Sequence, residues 1–374
     1  MKVLYIGHYR ESTGWAKAAI DYILAMDSVG IDIACRNVSL TGREGTVPPK
    51  ILELENKPID DCDVCIQHVL PHHLVGTEKF KRNIAFFVCE SSSIKTLPWF
   101  VQLQQMDEVW VPNNQMWNSL VSDGLCVPNS VKVIPHTFDI SQYKKKTSDI
   151  QVNEIHSKFK FYYIGDLNAR KNLESIIRCF HSEFEVSEQV ALILKVKKFG
   201  HNPQQVSDIV TDISAKVKQS LRMFPENLQY HKEVIISDEV DDAGIRSIHS
   251  YGDCFVSPTH GEAWSIPSFD AMAYGNTPIC SDFGGPRDFV DPEDKSTGWC
   301  VDGSYGVCEC PDAAFPEIFT GREEWFMPSE SEIKKAMRYY FENRHSIDRK
   351  AGKKRAELYS YENIGNKIKD ILNV

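Results

Sequence analysis

The chain has 374 residues, 42% hydrophobic and 25% charged, which excludes disordered, collagen-like and coiled-coil classes and, at about 150 residues per domain, leaves room for two domains. Lys and Arg total 42 against 52 Asp and Glu, a formal net charge of −10, which argues against an electrostatic nucleic-acid binder. No apolar run approaches the roughly 18 residues of a membrane span.

The apolar opening, Val3 to Ile6, ends at Gly7 and turns polar at His8, too short for a signal peptide. Eleven cysteines without such a leader point to reduced thiols and a cytoplasmic chain. Val3 to Ile6 reads as a buried strand, the polar stretch with Ser12, Thr13 and Gly14 as a loop, Trp15 to Ser28 as a helix, and Ile31 to Ala34 as the next strand. Strand, loop, helix, strand is how a parallel α/β sheet opens. Val64 to Gln67, Ile84 to Cys89, Val109 to Val111 and Val131 to Ile134 continue as strands, with helices at Pro98 to Met106 and Gln115 to Ser122.

From Asp139 to Ser157 the apolar period lapses into lysines and small polar residues, which sets a domain boundary near residue 150. A second α/β run follows. Its strands are Phe159 to Ile164, Val190 to Val196, Glu233 to Ser237, Asp253 to Ser257 and Thr277 to Cys280. Its helices are Asn172 to Phe184, Val206 to Met223, Val240 to Ser250 and Ser265 to Tyr274. The chain beyond Glu330 reads as helical, at 332–343, 347–359 and 361–372. The fold class is α/β: two doubly wound Rossmann-like domains, 1–150 and 151–360, expected to face a ligand cleft at the carboxyl ends of their strands.

Two segments carry chemistry. In His260 to Gly275, HGEAWSIPSFDAMAYG, Glu262 precedes a helix and Asp270 lies within it, eight positions on. Free amides at a helix N-terminus favour an anion, and carboxylates accept the hydrogen bonds that sugar hydroxyls donate. In Ile164 to Leu173, IGDLNARKNL, a strand ends at Gly165 and two cations, Arg170 and Lys171, stand at a helix start, where they suit a diphosphate better than the helix dipole. Arg170 occupies the place of a Walker A glycine, so this is not a P-loop. Cys62 and Cys65 lack a second pair at zinc spacing, and Cys300, Cys308 and Cys310 lie without a matching His, so no metal site is expected.

With these motifs the chain resembles the retaining GT-B glycosyltransferases, specifically the family-four group (glycosyl transferases group 1). Phe255-Val256-Ser257-Pro258, Ala271-Met272-Ala273 and Gly298-Trp299 share the likeness, which is strongest from Phe159 onward. The resemblance implies a nucleotide-diphosphate-sugar donor as co-substrate, no cofactor and no metal. Glu262 then lies by the donor sugar, Asp270, where the family carries Glu, at the ribose, and Lys171 at the diphosphate with Arg170 beside it. Gly165 and the amides of Ala263, Trp264 and Ser265 complete the donor site. The loop after the first strand implies Gly14 near the donor phosphate and His8, Glu11, Ser12 and Trp15 on the acceptor side. Cys89 holds the place of a family histidine, which makes Glu90 the candidate acceptor base, a carboxylate that serves equally well to cap the next turn. His68 and His136, at other strand ends, are weaker candidates. The final helix, 361–374, is implied to pack back on the first domain. Two other classes stay open: a nucleotide-sugar-binding protein without catalysis, and another GT-B activity, a sugar phosphorylase or nucleotide-sugar epimerase. Glycan, lipid, protein and modified nucleic-acid base all remain as acceptors.

Overall fold

The computed structural model describes residues 1–40, 42, 44–94, 100–147, 153–221, 229–308 and 321–373. They form two compact units, one of residues 1–142 with 356–374 and one of residues 143–355. The start of the helix expected at Pro98, the end of the one expected to reach Met223, and Cys310 lie outside the described residues.

The first unit is a six-stranded parallel sheet in the order β2-β1-β3-β4-β5-β6. Its elements are β1 (Lys2–Gly7), α1 (Gly14–Ser28), β2 (Asp32–Asn37), α2 (Pro49–Glu55), β3 (Val64–His68), β4 (Arg82–Phe86), α3 (Phe100–Gln104), β5 (Glu108–Val111), α4 (Asn114–Ser122) and β6 (Val131–Val133). Thr13 caps α1 by accepting from the Ala16 amide, and Asn113 caps α4 by accepting from Met116, each satisfying a donor that the first turn leaves open. The strand order reverses between β1 and β3, which puts the topological switch point beside Gly7 and His68. β4 stops at Phe86 rather than running to Cys89. Its partner β5 ends before Pro112, which has no N–H to extend the ladder, and the last link is from the Phe87 amide to the Trp110 carbonyl.

The second unit holds β7 (Phe159–Asp166), α5 (Leu173–Glu183), β8 (Val190–Lys197), α6 (Pro203–Leu221), β9 (Val234–Ile236), α7 (Asp242–Tyr251), β10 (Cys254–Ser257), α8 (Ile266–Ala273), β11 (Thr277–Ser281), α9 (Pro286–Phe289) and β12 (Trp299–Val301). Its strands run parallel in the order β12-β11-β10-β7-β8-β9, the doubly wound order with its switch point between β7 and β10. One face is covered by α5, α6 and α10 (Glu330–Glu342) over Phe161, Leu192, Leu194 and Val256. The other packs Tyr162, Ile193 and Phe255 against Ile248 of α7 and Ala271 of α8. Cys300 lies in β12 opposite Cys280. An antiparallel hairpin, β13 (Gly303–Val307) with β14 (Glu324–Pro328), is an addition that sequence pattern did not anticipate.

After α11 (Arg349–Glu357) the chain ends in α12 (Tyr361–Leu372). α12 belongs to the first unit and packs on α1: a Cβ on Gly365 would lie 2.5 Å from the Ala25 carbonyl oxygen, and the Tyr361 hydroxyl donates to Asp21 at 2.5 Å. Among the described residues no helix is long and apolar enough to cross a membrane.

Candidate functional site

In the second unit, two loops leave adjacent strands at the switch point and are laced together. The loop after β7 carries Asn168, Arg170, Lys171 and Asn172; the loop after β10 carries Pro258 to Ser265. The His260 amide donates to the Arg170 carbonyl at 2.8 Å, and the Arg170 guanidinium donates to the Gly261 carbonyl at 2.5 Å. The Asn172 side-chain amide reaches the Pro258 carbonyl at 2.9 Å, and Asn168 holds the Lys171 amide at 3.1 Å. At the centre the Lys171 ammonium donates to Glu262 Oε1 at 2.5 Å, with the Arg170 guanidinium 3.6 Å from the same oxygen.

The Glu262 side chain is only 11% exposed. Burial alone would push its carboxyl up; Lys171 and Arg170 outweigh burial and hold it below the usual carboxylate range. The group is therefore an ionised carboxylate held by two cations, Lys171 and Arg170.

Backbone conformation sets this geometry. Asn172 at φ 53° and Ser265 at φ 66° are both left-handed, a conformation that costs most side chains about 1–2 kcal/mol. Each sits where a site loop turns into a helix, Asn172 into α5 and Ser265 into α8. Ser265 and Ser268 pair their hydroxyls at 2.7 Å across the first turn of α8. Trp264 sends its ring into the core against Phe269 and Phe289, so what it offers a ligand is its main chain. Asp270 lies buried within α8. Gly165 leaves room for its neighbour: a Cβ there would lie 2.2 Å from the Tyr163 hydroxyl. His260 faces β14, where its ring stacks on Trp325 at 5.4 Å and Nδ1 donates to the Phe326 carbonyl at 2.9 Å.

Behind the loop stands the Gly284-Gly285 turn, a feature missed from sequence although two consecutive glycines after a strand are a visible signal. A Cβ on Gly284, whose φ is +68°, would fall 1.8 Å from the Glu262 carbonyl oxygen, and one on Gly285 would fall 2.5 Å from Trp264 Cα. Gly284→Ala therefore combines strain of about 1–3 kcal/mol with displacement of the Glu262 main chain. A lowered Tm together with loss of any ligand that wild type binds at this loop is the expected result; a ligand affinity equal to wild type would contradict it.

The other candidates lie in the first unit. His8 is fully buried, donates from Nδ1 to the Val38 carbonyl at 2.7 Å and accepts the Leu70 amide on Nε2. Burial pushes its imidazole below the usual value, and both nitrogens serve the backbone. Glu11 accepts from the Leu40 amide at 2.7 Å, which ties the loop after β1 to the loop after β2. Ser12 and Gly14 are exposed, and a Cβ on Gly14 would meet nothing within 4 Å. Trp15 lies between His8 and His68, its ring centroid 5.0 Å from that of His68. Glu90 is half-buried beyond the end of β4. His68 hydrogen-bonds the Tyr5 hydroxyl at 2.7 Å, and burial lowers its pKa to about 3. His136 is buried 3.5 Å from Asp21. The structure thus joins Arg170, Lys171 and Glu262 directly, and places His8 and Glu11 in loop-holding roles.

Residues 145–305 match the family model described as Glycosyl transferases group 1. No curated protein matches the chain. Among solved structures, HepE from Anabaena in complex with UDP-glucose superposes with a TM-score of 0.68 at 14% identity, covering 100% of this chain and 99% of that one. Sucrose-phosphate synthase from Thermosynechococcus elongatus gives a TM-score of 0.63 at 14% identity, with 100% and 98% covered. A glycosyltransferase from Rickettsia africae gives 0.64 at 11% identity, with 99% and 97% covered. These likenesses show the fold, which is of the GT-B class.

Proposed function

We propose that the protein moves a sugar from a nucleotide-diphosphate sugar to an acceptor hydroxyl, with retention of anomeric configuration and without a metal ion. The observation that carries this reading is the Arg170–Lys171–Glu262 cluster at the switch point of the second sheet, inside the stretch that matches the glycosyltransferase family model. HepE, of the same fold, was solved with UDP-glucose bound, which supports a donor of this class. Lys171 and Arg170 neutralise the diphosphate as its bond to the sugar C1 breaks, aided by the main-chain amides of Ala263 to Ser265. Glu262 stabilises the positive charge that develops on the sugar ring as the acceptor oxygen bonds to C1 on the face the diphosphate leaves. The acceptor proton passes to the departing diphosphate. Asp270 holds the ribose, and acceptor recognition is assigned to His8, Glu11, Ser12 and Trp15 of the first unit, with Glu90 as the candidate base that relays the acceptor proton. A cytoplasmic setting completes the reading; the ten cysteines among the described residues are free thiols.

Thermal shift against UDP, GDP, ADP and CMP and their sugars tests the donor site, with Lys171→Ala as control. A ligand at about 100 times its Kd stabilises by about 2.7 kcal/mol. A selective rise in Tm that Lys171→Ala abolishes is expected. No rise with any nucleotide at millimolar concentration would overturn the reading.

A further inference from the structure

One buried charge in the second unit has no part in the reading above. Lys195 lies near the carboxyl end of β8, inside the otherwise apolar run Val190 to Val196, and is 5% exposed. Among the described residues its ammonium makes one hydrogen bond, to the Val196 carbonyl at a long 3.5 Å, and no ion pair. A desolvated ammonium without an ion-pair partner in contact costs stability. Burial and Lys197 push its pKa below the usual lysine value, with Asp238, Glu239 and Asp166 opposing them.

The neighbours indicate what would complete it. Register puts Ile164 of β7 and Ile236 of β9 on either side of Lys195. Side-chain alternation along β8 puts Lys195 on the face of Ile193, which is the face covered by α7 and α8. Both isoleucines are half-buried. The three residues lie at the same end of the sheet as the Arg170–Lys171–Glu262 cluster, which already supplies two cations for a diphosphate. Half-buried aliphatic walls with a donor-only group between them suit a flat ring that carries an oxygen acceptor.

We propose that Lys195 reads the base of the donor nucleotide by donating to a ring carbonyl oxygen. The donor then carries uracil or guanine in preference to adenine, which has no ring carbonyl and presents an amino donor where guanine presents its carbonyl oxygen. This rests on the nucleotide-sugar reading.

Titration calorimetry of wild type and Lys195→Met with UDP, GDP, ADP and inorganic pyrophosphate tests it. Wild type is expected to bind UDP or GDP at least about tenfold tighter than ADP, and Lys195→Met to remove about tenfold of that preference. Pyrophosphate affinity stays unchanged, and the Tm of the ligand-free variant equals or exceeds wild type, because a stranded charge is gone. An equal loss for pyrophosphate would make Lys195 a phosphate contact and overturn the proposal. An unchanged base preference with a lowered Tm would make it a packing residue and also overturn it. Should Lys195→Met fail to fold, Lys195→Arg, which keeps the charge but moves the donors, is expected to change the UDP:ADP ratio; an unchanged ratio counts against the proposal. If wild type binds nucleotides through Lys171 and Lys195→Met keeps the base preference, the base assignment alone fails. If wild type binds no nucleotide, both readings fail.

Discussion

Glu262→Gln is expected to separate donor binding from transfer: kcat falls by about 10²–10³, while affinity for the free nucleoside diphosphate stays level or rises. In the ligand-free protein the Glu262 carboxylate holds Lys171 at 2.5 Å and draws Arg170 to 3.6 Å. An incoming diphosphate competes for those same cations, so removing the carboxylate charge removes a competitor. In the transfer we propose, by contrast, the charge developing on the sugar ring loses the anion assigned to it. The variant keeps the shape of the loop, so the Gly261 and Pro258 carbonyls retain their donors from Arg170 and Asn172. Stability gives an independent check. The Glu262 carboxyl is held below its usual value of 4.5 in the fold, so its ion pairs stabilise the protein above that pH and cease to do so as pH falls through the lower folded value. The Tm gap between wild type and Glu262→Gln is therefore widest near neutrality and narrows in acid. Steady-state kinetics with calorimetry decides the point: a kcat within tenfold of wild type removes Glu262 from the transfer step.

Much of this site is legible from local sequence because its chemistry is local. Arg170 and Lys171 follow an apolar strand that stops at a glycine, and Glu262 stands just before a helix, so strand-end and helix-start patterns place both near one switch point. The pairing of Lys171 with Glu262 joins residues far apart in the chain, and only the order of β10 beside β7 brings them together. His8 shows the converse. A histidine after the first strand reads as acceptor chemistry, yet its ring nitrogens are engaged by Val38 and Leu70, two positions that no local pattern connects to it. The β13–β14 hairpin escapes detection because Gly303-Ser304-Tyr305-Gly306-Val307 has neither strict alternation nor an apolar run. It is held by distant contacts, Trp325 under His260 and Tyr305 against Phe283. Lys195 is hidden for a related reason: the Val190 to Val196 pattern announces a strand so strongly that the one charge within it reads as an interruption.

Removing Glu233 is expected to be the most destabilising single change outside the site. Its side chain, 7% exposed, gathers three groups from two helices. His181 of α5 lies 2.5 Å from Oε1, Ser214 of α6 donates to the same oxygen at 2.5 Å, and Lys218 of α6 donates to Oε2 at 2.9 Å. Burial alone would push the carboxyl up; the three partners outweigh it and hold the pKa at about 2. His181 is itself pushed below the usual histidine value by burial, with Glu233 opposing. Because the folded pKa is depressed, this carboxylate stabilises the protein above the ordinary value of 4.5, and the contribution is lost as pH falls from there toward 2. Glu233→Leu strands the Lys218 ammonium, whose side chain is 10% exposed, and a broken buried pair costs about 3–5 kcal/mol. For a unit of this size that corresponds to a Tm lower by roughly 10 °C. The double variant Glu233→Leu with Lys218→Met removes both charges and is expected to recover most of the loss, since a buried pair replaced by apolar residues is often close to neutral. Recovery identifies the stranded ammonium as the source of the instability. A double variant as unstable as Glu233→Leu alone would shift the cause to His181 and Ser214, the two groups that tie α5 and α6 to the strand that Glu233 precedes.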